Sequence, residues 1–208
     1  MAADLALPPP EAIEAAVRAA LAEDLGDGDA TAQLLEDVPA TAHVVCKESA
    51  VIAGGPWFDA CFRALDPAIR ITWHVGEGQR VEPGTVLCTL EGRSRAIVSA
   101  ERSALNFLQT LSATATTTAA YAAALSGTRT RVLDTRKTLP GLRLAQKYAV
   151  RAGGGVNHRI GLFDAVMLKE NHIAAAGSIS AAVERARALH PALPLIVEVE
   201  SLDELDQA

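Results

Sequence analysis

Thr130-Arg131-Val132-Leu133-Asp134-Thr135-Arg136-Lys137-Thr138 begins a segment of alternating strand and helix patterns that ends at Leu168-Lys169-Glu170-Asn171-His172. The opening residues read as a strand over 130–134. A helical pattern over 142–152 then stops at Gly153-Gly154-Gly155, and a second strand pattern covers 164–168. On either side, the spacing predicts a helix near 116–125 before this stretch, and a helix over 179–189 leading to a strand over 195–199 after it. Strand–helix–strand alternation implies right-handed crossovers and parallel strands, as in an α/β barrel. Arg136 and Lys137 follow the first strand, Lys169 ends the second and Glu198 lies near the end of the third. In such barrels the carboxyl ends of the strands carry the chemistry.

Charge singles out the same stretch. Residues 129–172 hold nine Lys/Arg against three acids, in a chain whose net charge is −6. Cations gathered on one segment of an acidic protein face something anionic. Nucleic acid is a poor candidate, since the pI is about 5.4, aromatics are 4% of residues, and no stacking side chains join the basic ones. Arg129, Arg131, Arg143, Lys147 and Arg151 read as helix or loop surface.

At 208 residues, half of them apolar, the chain suits one large domain or two modest ones of a soluble protein. No run reaches the roughly 18 apolar residues of a membrane span, and Met1-Ala2-Ala3-Asp4 lacks the basic start of a signal peptide. The expected location is the cytoplasm. Cys46, Cys61 and Cys88 are odd in number and form no CxxC, so they read as idle thiols.

The N-terminal part reads as a helix over 9–24, then an acidic loop from Asp24 to Thr31, taken as a turn rather than a metal loop. Strand patterns follow at 41–46, 69–75, 86–90 and 96–98, with a helix near 56–65. Ser99 is placed to cap a helix running through Leu111, which puts Arg102 in its first turn, the unfavourable end of the dipole for a cation. Residues 76–87 are similar to the hairpin of biotinyl and lipoyl carrier domains. The nearest lysine, Lys47, reads as part of a strand, so carrier chemistry is not expected.

Six segments, in order, resemble the quinolinate phosphoribosyltransferase (carboxylating nicotinate-nucleotide pyrophosphorylase) family. They are Glu23 to Asp29, Glu101 to Leu108, Asp134 to Thr138, Gly153 to Arg159, Met167 to His172, and Glu198-Val199-Glu200. The resemblance implies an α/β protein: an N-terminal α/β sandwich over 1–112 and an incomplete α/β barrel over 113–208. It also implies a pentosyltransferase activity. Phosphoribosyl pyrophosphate and quinolinate would give nicotinate mononucleotide, pyrophosphate and carbon dioxide in de novo NAD synthesis.

Carried over by position, Arg102, Arg136, Arg159 and Lys169 match the family's quinolinate-holding cations, with His158 beside them. Thr135 and Lys137 belong to the same binding loop, and Glu198 matches a carboxylate near the ribosyl and metal site. Lys137 and Glu198 are the expected catalytic groups, and Mg²⁺ is expected with phosphoribosyl pyrophosphate. Because the residue matching Arg102 reaches a neighbouring subunit's site, the resemblance implies a homodimer with shared active sites. Glu200 is an alternative to Glu198, and His172 reads equally as a helix cap.

The family continues beyond Asp206-Gln207-Ala208, with a second acidic strand end and glycine-rich loops for the 5-phosphate. Three visible barrel strands are too few to close a barrel. The expectation is therefore a piece of a longer protein, with the activity belonging to the complete chain. The alternatives are a paralogue of the molybdenum-locus type acting on another aromatic acid, and a binding or carrier protein without catalysis.

Overall fold

The computed structural model describes residues 5–208, in two compact units that meet in sequence at Asn157/His158. In the first, α1 (Pro10–Leu25) begins with proline, whose missing N–H costs nothing in a first helical turn, and buries Ile13, Val17 and Leu21 four residues apart. The acidic loop that follows is a turn. Asp29 Oδ1 accepts the N–H groups of Thr31 (2.9 Å) and Ala32 (2.8 Å), and its Oδ2 accepts the Ser99 hydroxyl (2.8 Å).

β1 (Pro39–Val45) and β3 (Arg70–Trp73) both pair antiparallel with β5 (Val86–Arg93), which is central in the three-stranded sheet. β2 (Ala50–Val51) pairs antiparallel with β4 (Arg80–Val81). Lys47 lies just past β1, outside the strand in which its sequence context placed it. Between β2 and β3 runs α2 (Gly55–Leu65), which buries Trp57, Phe58, Cys61 and Phe62. Burial pushes the Cys61 and Cys88 thiols up to about 12, so neither is a reactive thiolate.

The largest departure from the sequence reading is α3. Two helices and a strand over 96–98 were expected. Instead one helix, Ser94–Ala124, runs directly out of β5. Ala96-Ile97-Val98 has the β-branched look of a strand. However, Ile97 continues a helical stripe through Ala100, Ala104, Phe107, Leu108, Leu111 and Ala115, all buried. Burial along the stripe from Ile97 to Ala115 outweighs local propensity. Ser99 is therefore interior to the helix and caps nothing, and Arg102 lies more than two turns in, so the expected dipole conflict does not arise. The helix start is held by Ser94, whose hydroxyl donates to the Glu36 carbonyl (2.8 Å) and accepts from Val38 N–H (3.1 Å).

α4 (Arg143–Ala152) packs on α3 and buries Ala145, Lys147, Tyr148 and Ala149. Tyr148 meets Trp57 at a ring-centroid distance of 5.5 Å. It also hydrogen-bonds Glu77, whose carboxylate caps α2 by accepting the N–H groups of Gly54 (3.0 Å) and Gly55 (2.8 Å). The expected strand over 130–134 is reduced to one parallel bridge, Leu133 with Val156. In the second unit β6 (Val166–Leu168) and β7 (Leu195–Val197) pair in parallel, with α5 (Glu170–Ala176) and α6 (Ile179–Leu189) in the crossover. Leu168, Ala182 and Ala186 form its core. A last helix, α7 (Leu202–Gln207), is capped by Ser201, which accepts from Glu204 N–H (3.2 Å). This is the βαβ pattern of an α/β barrel following a sheet-containing unit. Among the described residues no helix is long and apolar enough to cross a membrane.

Two stability predictions follow from this packing. A Cβ on Gly153 would sit 2.3 Å from the Ala115 carbonyl oxygen and 2.7 Å from Thr118 Cβ. Gly153→Ala is therefore expected to lower unfolding free energy by about 1–3 kcal/mol, measured in urea. Burial of Glu77 raises its carboxyl above 4.5, against the pull of its N–H and Tyr148 partners. A carboxyl raised by folding stabilises the folded chain at low pH, and that contribution is lost as pH rises above 4.5 through the raised value. The melting-temperature difference between wild type and Glu77→Ala should accordingly shrink over that rise.

Candidate active site

In the first unit, three of the expected site residues, Thr135, Arg136 and Lys137, lie on the irregular segment after the Leu133 bridge. The segment owes its shape to α4. Arg143, Gln146 and Lys147, at i, i+3 and i+4, share one helix face and all grip it. Arg143 Nε donates to Thr138 Oγ1 (3.2 Å), and its Nη2 donates to the Arg136 carbonyl (3.4 Å). Gln146 Oε1 accepts Leu139 N–H (2.8 Å). Lys147 Nζ donates to Asp134 Oδ1 at 2.5 Å, with both side chains under 10% exposed. Asn157 Nδ2 donates to the other oxygen, Asp134 Oδ2 (2.6 Å), and to the Lys147 carbonyl (2.8 Å). Lys147 and Arg143 are thus not surface residues of a generic helix, as their sequence context suggested. Lys147 is the most buried cation of the described chain, at 2% exposure.

The segment itself is tightened by Thr135, whose hydroxyl accepts Lys137 N–H (3.0 Å). Arg136 is half-buried, and its Nε is buried with no hydrogen-bond partner among the described residues. Lys137 is exposed. Neither cation enters an ion pair among the described residues. A buried, unpartnered guanidinium N–H is costly unless a ligand completes it. Arg102 is exposed on α3, where it lines an open cleft of about 880 Å³ with Glu101 and Lys47 over Phe58, Phe62 and Leu108.

In the second unit, His158 Nδ1 accepts the backbone N–H of Arg159 (2.8 Å), so a neutral ring carries its proton on Nε2. The Arg159 guanidinium donates to the Ala165 carbonyl (3.3 Å) and approaches Met167 Sδ (3.5 Å), which orients it along the start of β6. Asp164 closes the intervening loop by accepting Ile160 N–H (2.7 Å) and Gly161 N–H (2.9 Å). Lys169 directly follows β6 and Glu198 directly follows β7, and these adjacent strand ends bring the two together. Lys169 Nζ lies 2.8 Å from Glu198 Oε2 and 3.1 Å from Oε1. Lys169 also begins α5, where His172 Nδ1 accepts its backbone N–H (3.1 Å), so His172 is a helix cap.

Glu200 does not share a strand face with Glu198, because β7 ends at Val197 and both residues lie beyond it. Glu198 holds Lys169, whereas the Glu200 backbone N–H donates to Glu204 Oε2 (2.7 Å). Both line a small cleft of about 180 Å³ with Glu170 and Glu204. Among the described residues no three His, Cys, Asp or Glu side chains gather as a metal site.

Parallel strands joined by helices, with Lys169 and Glu198 at adjacent strand ends, are the arrangement of an enzyme of the α/β-barrel class. Comparison with known proteins narrows the class. Residues 29–112 match the N-terminal domain of quinolinate phosphoribosyl transferase, and residues 114–208 match its C-terminal domain. The chain is 46% identical over 205 residues to a probable nicotinate-nucleotide pyrophosphorylase [carboxylating] of Synechocystis, an alignment covering 97% of this chain and 69% of that protein. It is 45% identical over 200 residues to the Mycobacterium leprae nicotinate-nucleotide pyrophosphorylase [carboxylating], covering 91% and 69%. The structure of the nicotinate-nucleotide pyrophosphorylase from Francisella tularensis superposes with a TM-score of 0.95 at 47% identity, covering 98% of this chain and 73% of that one. The chain belongs to the quinolinate phosphoribosyl transferase family.

Sequence reasoning missed Lys147 and Gln146. The signal for Lys147 was an acid, Asp134, ending an apolar run with no named counter-ion. The Lys169–Glu198 pair is about half-exposed (41% and 50%), so it adds only about 0.2–1 kcal/mol to stability. Lys169→Met should therefore leave the thermal melt nearly unmoved, and any loss of ligand binding in that variant is a loss at the site.

Proposed function

We infer that this chain carries out the family's reaction: phosphoribosyl transfer from phosphoribosyl pyrophosphate to quinolinate, with decarboxylation, in NAD biosynthesis. The observation that carries the reading is the pair of family-domain matches along residues 29–208 together with relatives at about 45% identity that bear the carboxylating name. Those names favour it over a molybdenum-locus paralogue, and Lys47, outside the 76–90 hairpin, gives a carrier no acceptor.

The cations we assign to quinolinate are Arg102, Arg136, Arg159 and Lys169, with Thr135 and Lys137 on the binding segment and His158 beside Arg159. Arginine suits a fixed carboxylate because its planar fork donates two parallel hydrogen bonds, whereas lysine is a movable point charge. The unpartnered Nε of Arg136 supports this assignment.

In the reaction, the quinolinate nitrogen donates its pair to ribose C1 as the C1–O bond to pyrophosphate breaks. The pyridinium that forms is the electron sink for the next step. The C2–carboxylate bond breaks, carbon dioxide leaves, and the electron pair left on C2 takes a proton, giving nicotinate mononucleotide. Lys137 and Glu198 are the proposed catalytic groups. Lys137 would offset charge on the leaving pyrophosphate, and Glu198 would face the cationic sugar, as carboxylates do in glycoside cleavage. Mg²⁺ neutralises pyrophosphate charge when bound. An exposed carboxylate and no three-ligand cluster suit an ion carried in by substrate phosphates, with Glu198 as the chain's own donor. We further propose a cytoplasmic homodimer with shared active sites, in which Arg102 serves the neighbouring subunit's site; its exposure on an open cleft supports this.

The test is release of labelled carbon dioxide from carboxyl-labelled quinolinate and phosphoribosyl pyrophosphate by the complete polypeptide. Turnover of nicotinate without carbon dioxide would favour the paralogue. Arg136→Ala and Lys169→Ala should each reduce quinolinate binding by about two orders of magnitude while the protein stays folded. Normal binding by both would place the site elsewhere.

A further inference from the structure

We propose that Lys147 is a positioning residue that keeps the Asp134 carboxylate away from the anion-binding cations. The proposal rests on the functional reading above for the identity of the anion. Asp134 is the acid nearest in sequence to Arg136 and Lys137. A carboxylate so close would compete with a dicarboxylate ligand for both. The structure disposes of it: Lys147 Nζ takes Oδ1 (2.5 Å) and Asn157 Nδ2 takes Oδ2 (2.6 Å).

The consequence is visible two residues along, where Arg136 Nε stays buried without a partner and Lys137 forms no ion pair among the described residues. Lys147 is held for this role by α4, which buries it beside Tyr148, and Asn157 locks it by accepting no charge and bonding its carbonyl as well (2.8 Å). The pair is a neutral unit inside a cationic segment. It removes one competing negative charge from the segment, whose backbone Arg143 and Gln146 hold independently of the pair.

The role is asymmetric, and asymmetry is what separates it from plain structural support. Losing Lys147 leaves a carboxylate that can capture Arg136 or Lys137; losing Asp134 leaves no competitor. By calorimetric titration of the complete polypeptide with quinolinate, Lys147→Met should weaken binding about tenfold or more. Asp134→Asn should bind within about threefold of wild type, and the double variant should recover most of what Lys147→Met loses. Should Lys147→Met not fold, Lys147→Gln is read in its place, since it removes the charge and keeps a hydrogen bond. Equal weakening by Asp134→Asn and Lys147→Met, or no weakening by either, overturns the proposal.

A second readout needs no quinolinate. The rate of peptide-mapped phenylglyoxal reaction at Arg136 should fall in Lys147→Met and hold in Asp134→Asn. Wild type that fails to bind quinolinate while these rates differ as stated sinks the functional reading and leaves this one standing. Equal rates in all three proteins sink this one, whether or not quinolinate binds.

Discussion

The ion pair of Lys147 with Asp134 is the contact on which the cationic segment depends. Both side chains are nearly out of water, at 2% and 8% exposure. Taking two charges out of water costs several kcal/mol each, and their attraction returns that only with good geometry and further hydrogen bonds. The geometry here meets the condition, since each Asp134 oxygen has its own donor and Asn157 also bonds the helix carbonyl. Apolar residues of similar size would often stabilise such a position as well or better. A polar solution kept at a fully buried place is therefore explained better by the carboxylate it keeps from Arg136 and Lys137 than by stability. The stretch from Asp134 to Leu139 is gripped at four points by one face of α4, three of them made by Arg143 and Gln146 and independent of the pair.

The arginines and lysines of the chain divide by what they touch. Arg93 and Arg95 close the 33–38 loop over the start of α3, and Arg143 holds backbone and a hydroxyl. These are structural cations, each satisfied by the protein. Arg136 and Lys137 are not satisfied in this way, and their segment is rigid because neighbours supply the bonds they do not make. Rigid, unpaired donors are what binding an anion requires, because no internal bond has to be broken and little ordering remains to be done.

Much of this was legible in the sequence. Helix 179–189, helix 142–152 and the strands before Lys169 and Glu198 follow from apolar periodicity and appear almost at the expected bounds. The failures share one cause. Ile97 and Val98 are β-branched, but Ile97 belongs to a stripe of burial along a 31-residue helix, and periodicity over three residues cannot reveal it. The strand over 130–134 has strand composition, yet only Leu133 finds a bridging partner, in Val156. Lys147 was read as surface because lysine is rarely buried, and its counter-ion lies 13 residues away in sequence. A long-range ion pair leaves no periodic trace. Strand-end position singled out Arg136, Lys137, Lys169 and Glu198, whereas Arg102, Thr135, His158 and Arg159 were named from family likeness.

The second unit handles its charge by a different device. Lys169 and Glu198 neutralise one another at the ends of adjacent parallel strands, half-exposed to water. A pair of that kind is worth little and exchanges partners easily. Opening such a contact costs little, because both groups already lie in water. The buried Asp134–Lys147 pair cannot exchange in this way, because either charge left alone would be stranded out of water at about 3–5 kcal/mol. Depth thus separates two chemically similar ion pairs: the buried one is fixed by the penalty of stranding either charge, and the half-exposed one opens at little cost.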